Sequence, residues 1–259
     1  MEPRDKVAIV TGGGSGIGRA TVLALARAGA VVIAADLEIA GAEETALLAG
    51  NEGGRAHAAR VDVADPAQLG QLFADVERRH GGLDILHNNA GIITSGKAYP
   101  DSARESWSRM LDVNLRAVIV GTQLGIEAMR RRGGGAIVNT ASLAGLTGYP
   151  TDPVYGATKG GVVMLTLSLA PLALSDRIRV NCVCPGITDT PMVRQARARG
   201  EEEFPGFVPP DLPMLAPEAV AEGVLHLIRD ESLAGRALKV MVKGQSLEPL
   251  PRGAWRPES

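Results

Sequence analysis

Short apolar, β-branched runs alternate with longer segments of helical pattern along most of the 259 residues. The runs are nearly continuous in apolar character, which is typical of strands covered on both faces in a parallel sheet. Strands that alternate with helices form right-handed βαβ units, so the sequence predicts an α/β fold. We expect one doubly wound parallel sheet of about seven strands with helices on both faces. The predicted strands are Val7–Val10, Val31–Ala35, Ala58–Val61, Leu83–His87, Ala136–Thr140, Arg179–Val183 and Leu238–Val242.

A single domain is expected over residues 1–248, because no long linker or internal repeat divides the chain. The segment from Thr188 to Pro213 departs from the alternation, since it holds five prolines and two glycines. A long, irregular segment inside a compact domain is usually a lid or a binding loop, so we expect a substrate lid at about 188–213. Residues 249–259 are expected to form a flexible, proline-rich tail.

The charge balance argues against several classes of partner. The formal net charge is −2 and no long basic run occurs, so we expect no nucleic-acid partner. Arg130, Arg131 and Arg132 form a short basic patch, most simply a solvated helix end. The N-terminus has no apolar signal region, and no apolar stretch approaches the ~20 residues of a membrane span. We therefore expect a cytoplasmic protein with no membrane association.

The spacing of cysteines and histidines predicts no metal site. Cys182 and Cys184 lie two apart in a predicted strand, so both side chains point to one face. We interpret them as small core residues. The four histidines share no ligand spacing, and none is assigned to a metal.

A glycine-rich turn follows the first predicted strand and leads into the first predicted helix. It reads Thr11-Gly12-Gly13-Gly14-Ser15-Gly16-Ile17-Gly18, with the spacing Gly-x-x-x-Gly-x-Gly. A Cβ here would keep the backbone away from a pyrophosphate, and the free N–H groups at the start of the helix bind the anion. The turn thus predicts a dinucleotide site in a Rossmann-type fold, with contacts from Gly12, Ser15, Gly16, Ile17 and Gly18.

Asp36 closes the second predicted strand, eighteen residues after Gly18. At this place a carboxylate accepts hydrogen bonds from the hydroxyls of the adenosine ribose, and it repels a 2′-phosphate. The next residue is Leu37, so no cation follows that pairs with such a phosphate. The alternative is an aspartate that caps the following helix. We expect NAD rather than NADP as the cofactor.

Tyr155 and Lys159 are four residues apart on a predicted helix and share one face. A tyrosine pKa near 10 must fall by about three units for proton transfer near neutrality. A neighbouring ammonium and the charge of the nicotinamide act in that direction, although an exposed helix also carries such pairs by chance. Ser142 follows a predicted strand, and it either donates a hydrogen bond to a substrate oxygen or caps a turn.

These motifs together resemble those of the short-chain dehydrogenase/reductase family, and the resemblance covers nearly the whole chain. The turn Thr11–Gly18 resembles the family's cofactor turn, and Asp62-Val63 resembles the pair that holds the adenine. Asn88-Asn89-Ala90-Gly91 is similar to the motif that steadies the sheet and lines the cofactor. Pro185-Gly186-Ile187-Thr188 is similar to the segment that grips the nicotinamide carboxamide.

The family's catalytic tetrad matches Asn114, Ser142, Tyr155 and Lys159. The resemblance implies that Tyr155 exchanges the proton with the substrate oxygen, and that Lys159 lowers the pKa of Tyr155 and holds the nicotinamide ribose. It also implies that Ser142 orients the substrate and that Asn114 holds a water linking Lys159 to bulk solvent. The implied cofactor contacts are Gly12, Ser15, Gly16, Ile17, Gly18, Asp36, Asp62, Val63, Asn89, Tyr155, Lys159, Ile187 and Thr188.

The C-terminal region departs from the family's common pattern. Many members follow the last strand with Val-Asp-Gly-Gly, where this chain has Val240-Met241-Val242-Lys243-Gly244-Gln245. The region Pro217–Gly244 is instead similar to the NAD-dependent 15-hydroxyprostaglandin dehydrogenase branch. We expect a homo-oligomer, either a dimer or a tetramer, built partly on the predicted helices Ser102–Arg131 and Pro153–Leu174. The second of these is apolar on more than the one face that a monomer buries.

Three functions stay open from the sequence. The resemblance favours an NAD-dependent oxidoreductase that interconverts a small, apolar secondary alcohol and its ketone by hydride transfer. A carbonyl reductase of the 3-oxoacyl-carrier-protein reductase type is an alternative, with Arg130–Arg132 touching an acidic carrier, but that branch usually takes NADPH. A non-catalytic NAD-sensing or scaffold protein is another, and it has no need of the complete tetrad. The apolar pocket is expected to include Ile92, Ile93, Leu143, Leu146, Tyr149, Met192, Phe204 and Phe207.

Overall fold

The computed structural model describes residues 1–93, 97, 99–199 and 213–249. One sheet runs through the molecule in the order β3-β2-β1-β4-β5-β6-β7-β8. The first seven strands are parallel and the eighth is antiparallel to the seventh, which confirms the predicted doubly wound α/β fold. The strands are β1 (Val7–Thr11), β2 (Val31–Asp36), β3 (Arg55–Arg60), β4 (Ile85–Asn88), β5 (Gly135–Thr140), β6 (Ile178–Pro185), β7 (Ala237–Met241) and β8 (Gly244–Leu247).

Helices cover both faces of this sheet. The described helices are α1 (Gly16–Arg27), α2 (Ile39–Asn51), α3 (Pro66–His80), α4 (Arg104–Leu111), α5 (Ala117–Arg132), α6 (Pro153–Ser168), α7 (Leu172–Ser175), α8 (Pro191–Arg199) and α9 (Pro217–Arg229). Helices α1, α2 and α9 pack on one face, and α3, α5 and α6 pack on the other.

The continuous apolar character of the strands follows from this double cover. In β1, Ala8 and Val10 pack into the core beneath α1 and α9, while Ile9 packs into the core beneath α3 and α5. Successive side chains of a strand point to opposite faces, so a strand buried on both sides needs an apolar residue at every position. All three side chains are fully buried.

The strand order reverses between β1 and β4, which are neighbours in the sheet although β2 and β3 separate them in the chain. At such a switch point the connections leave to opposite faces and open a crevice at the carboxyl ends of the strands, where α/β folds bind ligands. The glycine-rich turn follows β1 and residues 89–91 follow β4, so both motifs open into this crevice.

The part of the chain that the structure describes contains the seven predicted strands and one more. The additional strand β8 folds back on β7, with Leu238 opposite Leu247 and Met241 opposite Gly244. It is short, and Gln245 and Ser246 are exposed. A strand of this kind has neither an apolar run nor a full alternation, so its sequence carries no strand signal.

Two predicted helices are also interrupted. The predicted helix Ser102–Arg131 is α4 and α5 separated by a π-helical turn at Asp112–Arg116. The predicted helix Pro153–Leu174 ends at Ser168, and Pro171 begins the separate short helix α7. The apolar pattern continues through both interruptions, because Val113 stays buried in the π-helical turn and Leu169 and Leu172 pack against the core beneath α3 and α5.

The predicted lid segment is in part a regular helix. Thr190 accepts a hydrogen bond at Oγ1 from the Val193 N–H (3.4 Å), and Pro191 begins α8. Proline is favourable at the first helical position because its missing N–H has no intrahelical partner there. Pro191, one of the five prolines that made this segment look irregular in sequence, is thus a helix-start residue. Residues 200–212, with Phe204 and Phe207, and the tail from 250 lie outside the described residues.

The basic patch at the end of α5 is bound by the chain's own carboxylates. Arg130 pairs with Asp176 (2.8 Å), Arg131 with Glu77 (2.6 Å), and Arg132 with Asp84 (3.4 Å). The patch is therefore a helix end tied to its neighbours, in agreement with the simpler interpretation. Cys182 and Cys184 are both buried and free in β6, as expected for core residues.

A buried amide network joins the sheet to the helices beside the crevice. The Asn88 amide donates from Nδ2 to Thr122 Oγ1 (3.2 Å) and to Asn139 Oδ1 (2.9 Å). Asn139 in turn donates from Nδ2 to Thr166 Oγ1 (3.1 Å). The network links β4, β5, α5 and α6, and all four of its side chains are buried. It explains how the asparagine that ends β4 steadies the sheet.

We expect Asn88→Ala to lower the free energy of unfolding by about 2 kcal/mol, because it leaves the Asn139 carbonyl buried without its donor. The melting temperature should fall by roughly 4–8 °C. Urea titration followed by circular dichroism measures the loss. Asn51→Ala, at the exposed end of α2, is the control and should stay within about 0.5 kcal/mol. Equal stability of Asn88→Ala and wild type would contradict the structural role of the network.

Candidate active site

A cavity of about 730 Å³ opens at the carboxyl ends of the strands. Two of the residues predicted for the site do not line it: Gly18 and Asn114 lie behind its wall. The residues predicted for the site that do line it are Gly12, Ser15, Gly16, Ile17, Asp36, Asp62, Val63, Asn89, Ser142, Tyr155, Lys159, Ile187 and Thr188. The structure therefore brings thirteen of the fifteen together in one place.

Close backbone contact shapes the glycine-rich turn. A Cβ on Gly18 would lie 1.9 Å from the Gly12 carbonyl oxygen, so only glycine allows α1 to start against the end of β1. Gly12 itself has a φ of +66°, in the left-handed region that glycine adopts without strain. Gly18 is thus a packing residue of the turn, and the cavity surface is formed by its neighbours.

The N-terminus of α1 faces the cavity without a side-chain cap. Ser15 is the N-cap residue, and its side chain accepts no hydrogen bond from the helix. The first turn of α1 contains no acidic residue, so no carboxylate of that turn competes for its N–H groups. Uncapped N–H groups and the positive end of the helix dipole together bind anions, which fits a pyrophosphate at this position.

Arg19 holds the turn from behind, a role that the sequence analysis missed. Its Nη2 and Nε donate to the Gly14 carbonyl oxygen (2.7 and 3.1 Å), and Nε also donates to Thr45 Oγ1 on α2 (3.1 Å). The same side chain pairs with Glu44. The only sequence signal is its place one residue after Gly18, at the start of the helix.

Asp36 stands at the end of β2 with both oxygens engaged by the backbone. Oδ2 accepts from the Gly14 N–H (2.9 Å) and Oδ1 accepts from the Glu38 N–H (3.0 Å). These bonds fix the carboxylate between the glycine turn and the start of α2, so it both orients the turn and faces the cavity. Leu37 and Glu38 line the cavity beside it, and neither attracts a phosphate.

Asn89 and Thr140 connect the ends of β1, β4 and β5. Asn89 donates from Nδ2 to the Thr11 carbonyl oxygen (3.0 Å) and accepts at Oδ1 from the Thr140 hydroxyl (3.2 Å). Nε2 of the buried His87 lies 2.8 Å from that hydroxyl oxygen. Because the Thr140 proton goes to Asn89, the imidazole is assigned its proton on Nε2 and donates to Thr140. Burial lowers the pKa of His87 to about 3.

Asn114 lies in the π-helical turn and binds the main chain of Ile92. Its Oδ1 accepts from the Ile92 N–H and its Nδ2 donates to the Ile92 carbonyl oxygen, both at 2.8 Å. The side chain is therefore committed to positioning the segment after β4. The implied role of Asn114 in holding a water stays a prediction. Both atoms of its side-chain amide already bind Ile92, so the side chain would contribute to that role by positioning the segment after β4.

Tyr155 lies half-buried on the first turn of α6, whose N-cap Asp152 accepts from the Tyr155 N–H (3.0 Å). Burial raises the pKa of Tyr155 to about 12, and the facing Ser142 hydroxyl acts in the opposite direction. Ser142 Oγ also accepts from the Ala144 N–H (3.2 Å). The turn-capping interpretation of Ser142 is therefore confirmed. Donation to a substrate oxygen stays a prediction, and it is compatible with this bond because the accepting oxygen still has its own proton to donate.

Lys159 reaches the same point from one turn further along α6. Its Nζ donates to the Thr140 carbonyl oxygen (2.9 Å) and lies 5.7 Å from the centroid of the Tyr155 ring. Burial lowers the pKa of Lys159 to about 8. A Cβ on Gly91 would come within 3.5 Å of this Nζ and 3.4 Å of Asn114 Oδ1. Gly91 therefore lies in van der Waals range of both side chains.

The segment after β6 closes the cavity opposite α6. Leu215 donates its N–H to the Ile187 carbonyl oxygen (2.8 Å), and Thr188 donates from Oγ1 to the Gly186 carbonyl oxygen (3.0 Å). Thr190 lies against the turn, since a Cβ on Gly16 would come within 2.9 Å of its Cγ2. The sequence analysis missed Thr190, although a hydroxyl residue directly before a proline is a helix-start signal.

The part of the cavity beyond Ser142 and Tyr155 is apolar. Of the predicted pocket residues, Leu146 packs in the core beside α6 instead of lining the cavity. Tyr149 covers Tyr155 at a ring-centroid distance of 6.1 Å. The described lining residues at this end carry no charge: Ile92, Ile93, Ala141, Leu143, Ala144, Tyr149, Pro185, Gly186, Met192 and Val193.

Two negative findings concern the described residues alone. They contain no group of three or more His, Cys, Asp or Glu side chains placed to hold a metal ion. None of their helices is long and apolar enough to cross a membrane.

Comparison with known proteins agrees with this geometry. Residues 6–201 match the family model described as short chain dehydrogenase. The chain is 36% identical over 228 residues to cyclohexanol dehydrogenase of Acinetobacter sp. (strain SE19), covering 88% of this chain and 89% of the relative. It is 35% identical over 254 residues to 15-hydroxyprostaglandin dehydrogenase [NAD(+)] of Bos taurus, covering 93% and 92%. The solved structure of levodione reductase has a TM-score of 0.83 at 30% identity, over 92% of this chain and 96% of that one.

Proposed function

The chain belongs to the short-chain dehydrogenase/reductase family, and we propose that it interconverts a secondary alcohol and its ketone with NAD as the hydride carrier. One observation carries the proposal: Ser142, Tyr155 and Lys159 converge in a cavity that also contains the uncapped N-terminus of α1. A proton-transfer group thus stands in the same cavity as a dinucleotide cradle, as hydride transfer to or from a carbonyl carbon requires.

The residues of the cavity fit a nicotinamide dinucleotide. The α1 N-terminus and Gly16 would hold the pyrophosphate, Asp36 the adenosine ribose, and Asp62 with Val63 the adenine. Lys159 would hold the nicotinamide ribose, and Ile187 with Thr188 the carboxamide. When bound, the oxidised nicotinamide supplies a hydride acceptor and a positive charge near Tyr155.

Tyr155 and Lys159 move the proton. In alcohol oxidation the Tyr155 oxygen accepts the hydroxyl proton of the substrate, while the Ser142 hydroxyl donates to the same substrate oxygen and orients it. Burial opposes the tyrosinate that this requires, since it raises the Tyr155 pKa to about 12. Two unit charges about 6 Å apart attract by about 3 kcal/mol at an effective dielectric constant near 20, which is roughly two pKa units. A protonated Lys159 therefore offsets the effect of burial.

The apolar end of the cavity supports an uncharged substrate. Among the described residues that line the cavity, Lys159 and Arg109 are the cations, and Arg109 is paired with Asp62. Because Lys159 is assigned to proton transfer and to the nicotinamide ribose, these described residues leave no cation for a carboxylate or a phosphate on the substrate. A cyclic or otherwise compact apolar alcohol suits this surface, in line with the cyclohexanol dehydrogenase relative.

The reductase alternative has less support. An acidic carrier needs free cations, but Arg130, Arg131 and Arg132 are already paired with Asp176, Glu77 and Asp84. The direction of the reaction stays open, because the same atoms serve oxidation and reduction. Formation of NADH from any alcohol would exclude the non-catalytic alternative. A cytoplasmic location and a lid at about 188–213 stay predictions.

Replacement of Tyr155 tests the chemistry. We expect Tyr155→Phe to keep NADH binding, because only a hydroxyl is removed, and to lose at least about a hundredfold in kcat. Lys159→Ala should lose turnover and also weaken NADH binding, because it removes both the charge and a ribose contact. Steady-state kinetics with a panel of secondary alcohols and fluorescence titration of NADH measure the two effects. Wild-type kcat in Tyr155→Phe would overturn the mechanism.

The pH dependence of kcat/KM is a second test of the roles of Tyr155 and Lys159. Oxidation needs the state in which Tyr155 and Lys159 together have lost one proton. That proton leaves with an apparent pKa near the Lys159 pKa of about 8, whichever of the two residues it is assigned to. The kcat/KM for oxidation should therefore rise with pH and level off above about 8, while reduction should fall over the same range. In Lys159→Met the tyrosine titrates alone toward about 12, so oxidation should still be rising at pH 10.

Cofactor choice is tested at Asp36. We expect kcat/KM for NAD to exceed that for NADP by at least about thirtyfold, since repulsion of the 2′-phosphate and lost hydrogen bonds exceed about 2 kcal/mol. Asp36→Ala combined with Leu37→Arg should move the preference toward NADP. Because Asp36 also binds the Gly14 N–H, Asp36→Asn is the matched control that keeps an acceptor without the charge. Equal use of NAD and NADP by the wild type would contradict the assignment.

The exposed apolar side chains of α5 and α6 support a homo-oligomer. Ile119 on α5 is 44% exposed and Met164 on α6 is 59% exposed. We propose that a second copy of the chain covers this surface. Light scattering should give a dimer or tetramer at micromolar concentration, and Met164→Glu should shift it toward monomer. A wild-type monomer would contradict the proposal.

A further inference from the structure

Arg109 is a cavity residue that neither the tetrad nor the cofactor motifs include. It lies on α4, and its Nη2 donates to both oxygens of Asp62, at 3.1 Å to Oδ1 and 3.0 Å to Oδ2. Its side chain is 45% exposed and lines the cavity beside Asp62 and Val63. Arg109 therefore lines the cavity and is paired with a carboxylate that also lines it, which distinguishes this pair from an ordinary surface ion pair.

The Asp62 carboxylate is oriented by this contact. Oδ1 also accepts from the Ala64 N–H (3.0 Å), so three hydrogen bonds fix the two oxygens. A carboxylate has about four lone-pair sites, which leaves one acceptor position. One free acceptor in a fixed orientation matches the exocyclic amine of a purine.

Charge gives Arg109 a second effect on the ligand. The carboxylates that line this end of the cavity are Asp36, Glu38 and Asp62, and Arg109 is the cation among the described lining residues there. A dinucleotide carries two negative phosphates, so an uncompensated acidic rim repels it. The guanidinium removes part of that repulsion, and its planar face also stacks on aromatic rings, as an ammonium does not.

We infer that Arg109 is an adenine-recognition residue, which orients Asp62 toward the exocyclic amine and presents its own plane to the purine ring. The inference depends on the adenosine half of the cofactor alone. It is therefore independent of the choice between NAD and NADP and of the proposed secondary-alcohol substrate.

Equilibrium binding tests the inference without any substrate. Isothermal titration of ADP-ribose and of reduced nicotinamide mononucleotide separates the two halves of the cofactor. Arg109→Ala should weaken ADP-ribose binding about tenfold and leave the mononucleotide unchanged. Arg109→Lys keeps the charge but loses the planar guanidinium, so it should still bind ADP-ribose at least about threefold more weakly than the wild type.

The exchange of adenine for hypoxanthine tests the orientation of Asp62. Hypoxanthine replaces the exocyclic amine by a carbonyl, so the wild type should bind reduced nicotinamide adenine dinucleotide more tightly than its hypoxanthine analogue. Arg109→Ala should reduce this preference at least threefold. An unchanged preference in the variant would overturn the orienting role.

Arg116→Ala is the matched control. Arg116 donates to the Ala64 carbonyl oxygen (3.0 Å) and pairs with Asp112, so it binds the same loop without lining the cavity. Its ADP-ribose affinity should stay within twofold of the wild type. Wild-type affinity in Arg109→Ala would show a surface ion pair only, and equal losses for both ligand halves would show a general structural effect. Either result overturns the inference.

Discussion

The carbonyl and hydroxyl groups of Thr140 hold the catalytic arrangement together. The carbonyl oxygen accepts a hydrogen bond from the Lys159 ammonium, which fixes the position of the Lys159 Nζ relative to β5. The hydroxyl donates to Asn89, which in turn binds the end of β1 where the glycine turn begins. One residue at the end of β5 therefore sets the position of Lys159, the proposed partner of Tyr155 in proton transfer, relative to the glycine turn.

Burial is the second constraint, and it acts on Tyr155 and Lys159 in opposite senses. It disfavours both charged forms, so the Tyr155 pKa rises to about 12 and the Lys159 pKa falls to about 8. The same low dielectric strengthens their mutual attraction, so each makes the charged state of the other less costly. We therefore expect the pair to titrate as one unit, and a nearby positive charge to favour the tyrosinate. A polar, solvated pocket would give more ordinary pKa values and a weaker response.

The sequence predicted the parts of the fold that repeat a strong pattern. Continuous apolar runs indicated the seven parallel strands. The glycine turn and Asp36 were predicted from the chemistry of their positions, and the resemblance to the family supplied most of the remaining site residues; thirteen of the fifteen line one cavity. It failed where the local hydrogen bonding changes and the apolar pattern does not, as in the π-helical turn that holds Asn114. It also failed for β8, whose polar residues pair only with β7.

Arg19 and Arg109 escaped prediction for one physical reason. Arg19 and Arg109 act through contacts between elements that are distant in the chain, 26 residues from Arg19 to Thr45 and 47 from Arg109 to Asp62. A single arginine on a helix has the same local pattern whether it pairs with a neighbour or reaches across a cavity. Only the fold, which brings α2 to the turn and α4 to the end of β3, distinguishes the two cases.

The buried imidazole of His87 makes the stability of the fold depend on pH. Its ring is neutral because burial lowers its pKa to about 3, whereas the same side chain titrates near 6.5 once unfolding exposes it. Unfolding between these two values takes up a proton, so acid favours the unfolded chain as the pH falls from about 6.5 toward 3. The full difference is on the order of 5 kcal/mol, comparable with the whole stability of a marginal domain. Protonation of the histidine that supports Thr140 at neutral pH therefore lowers the free energy of unfolding progressively as the pH falls through this range.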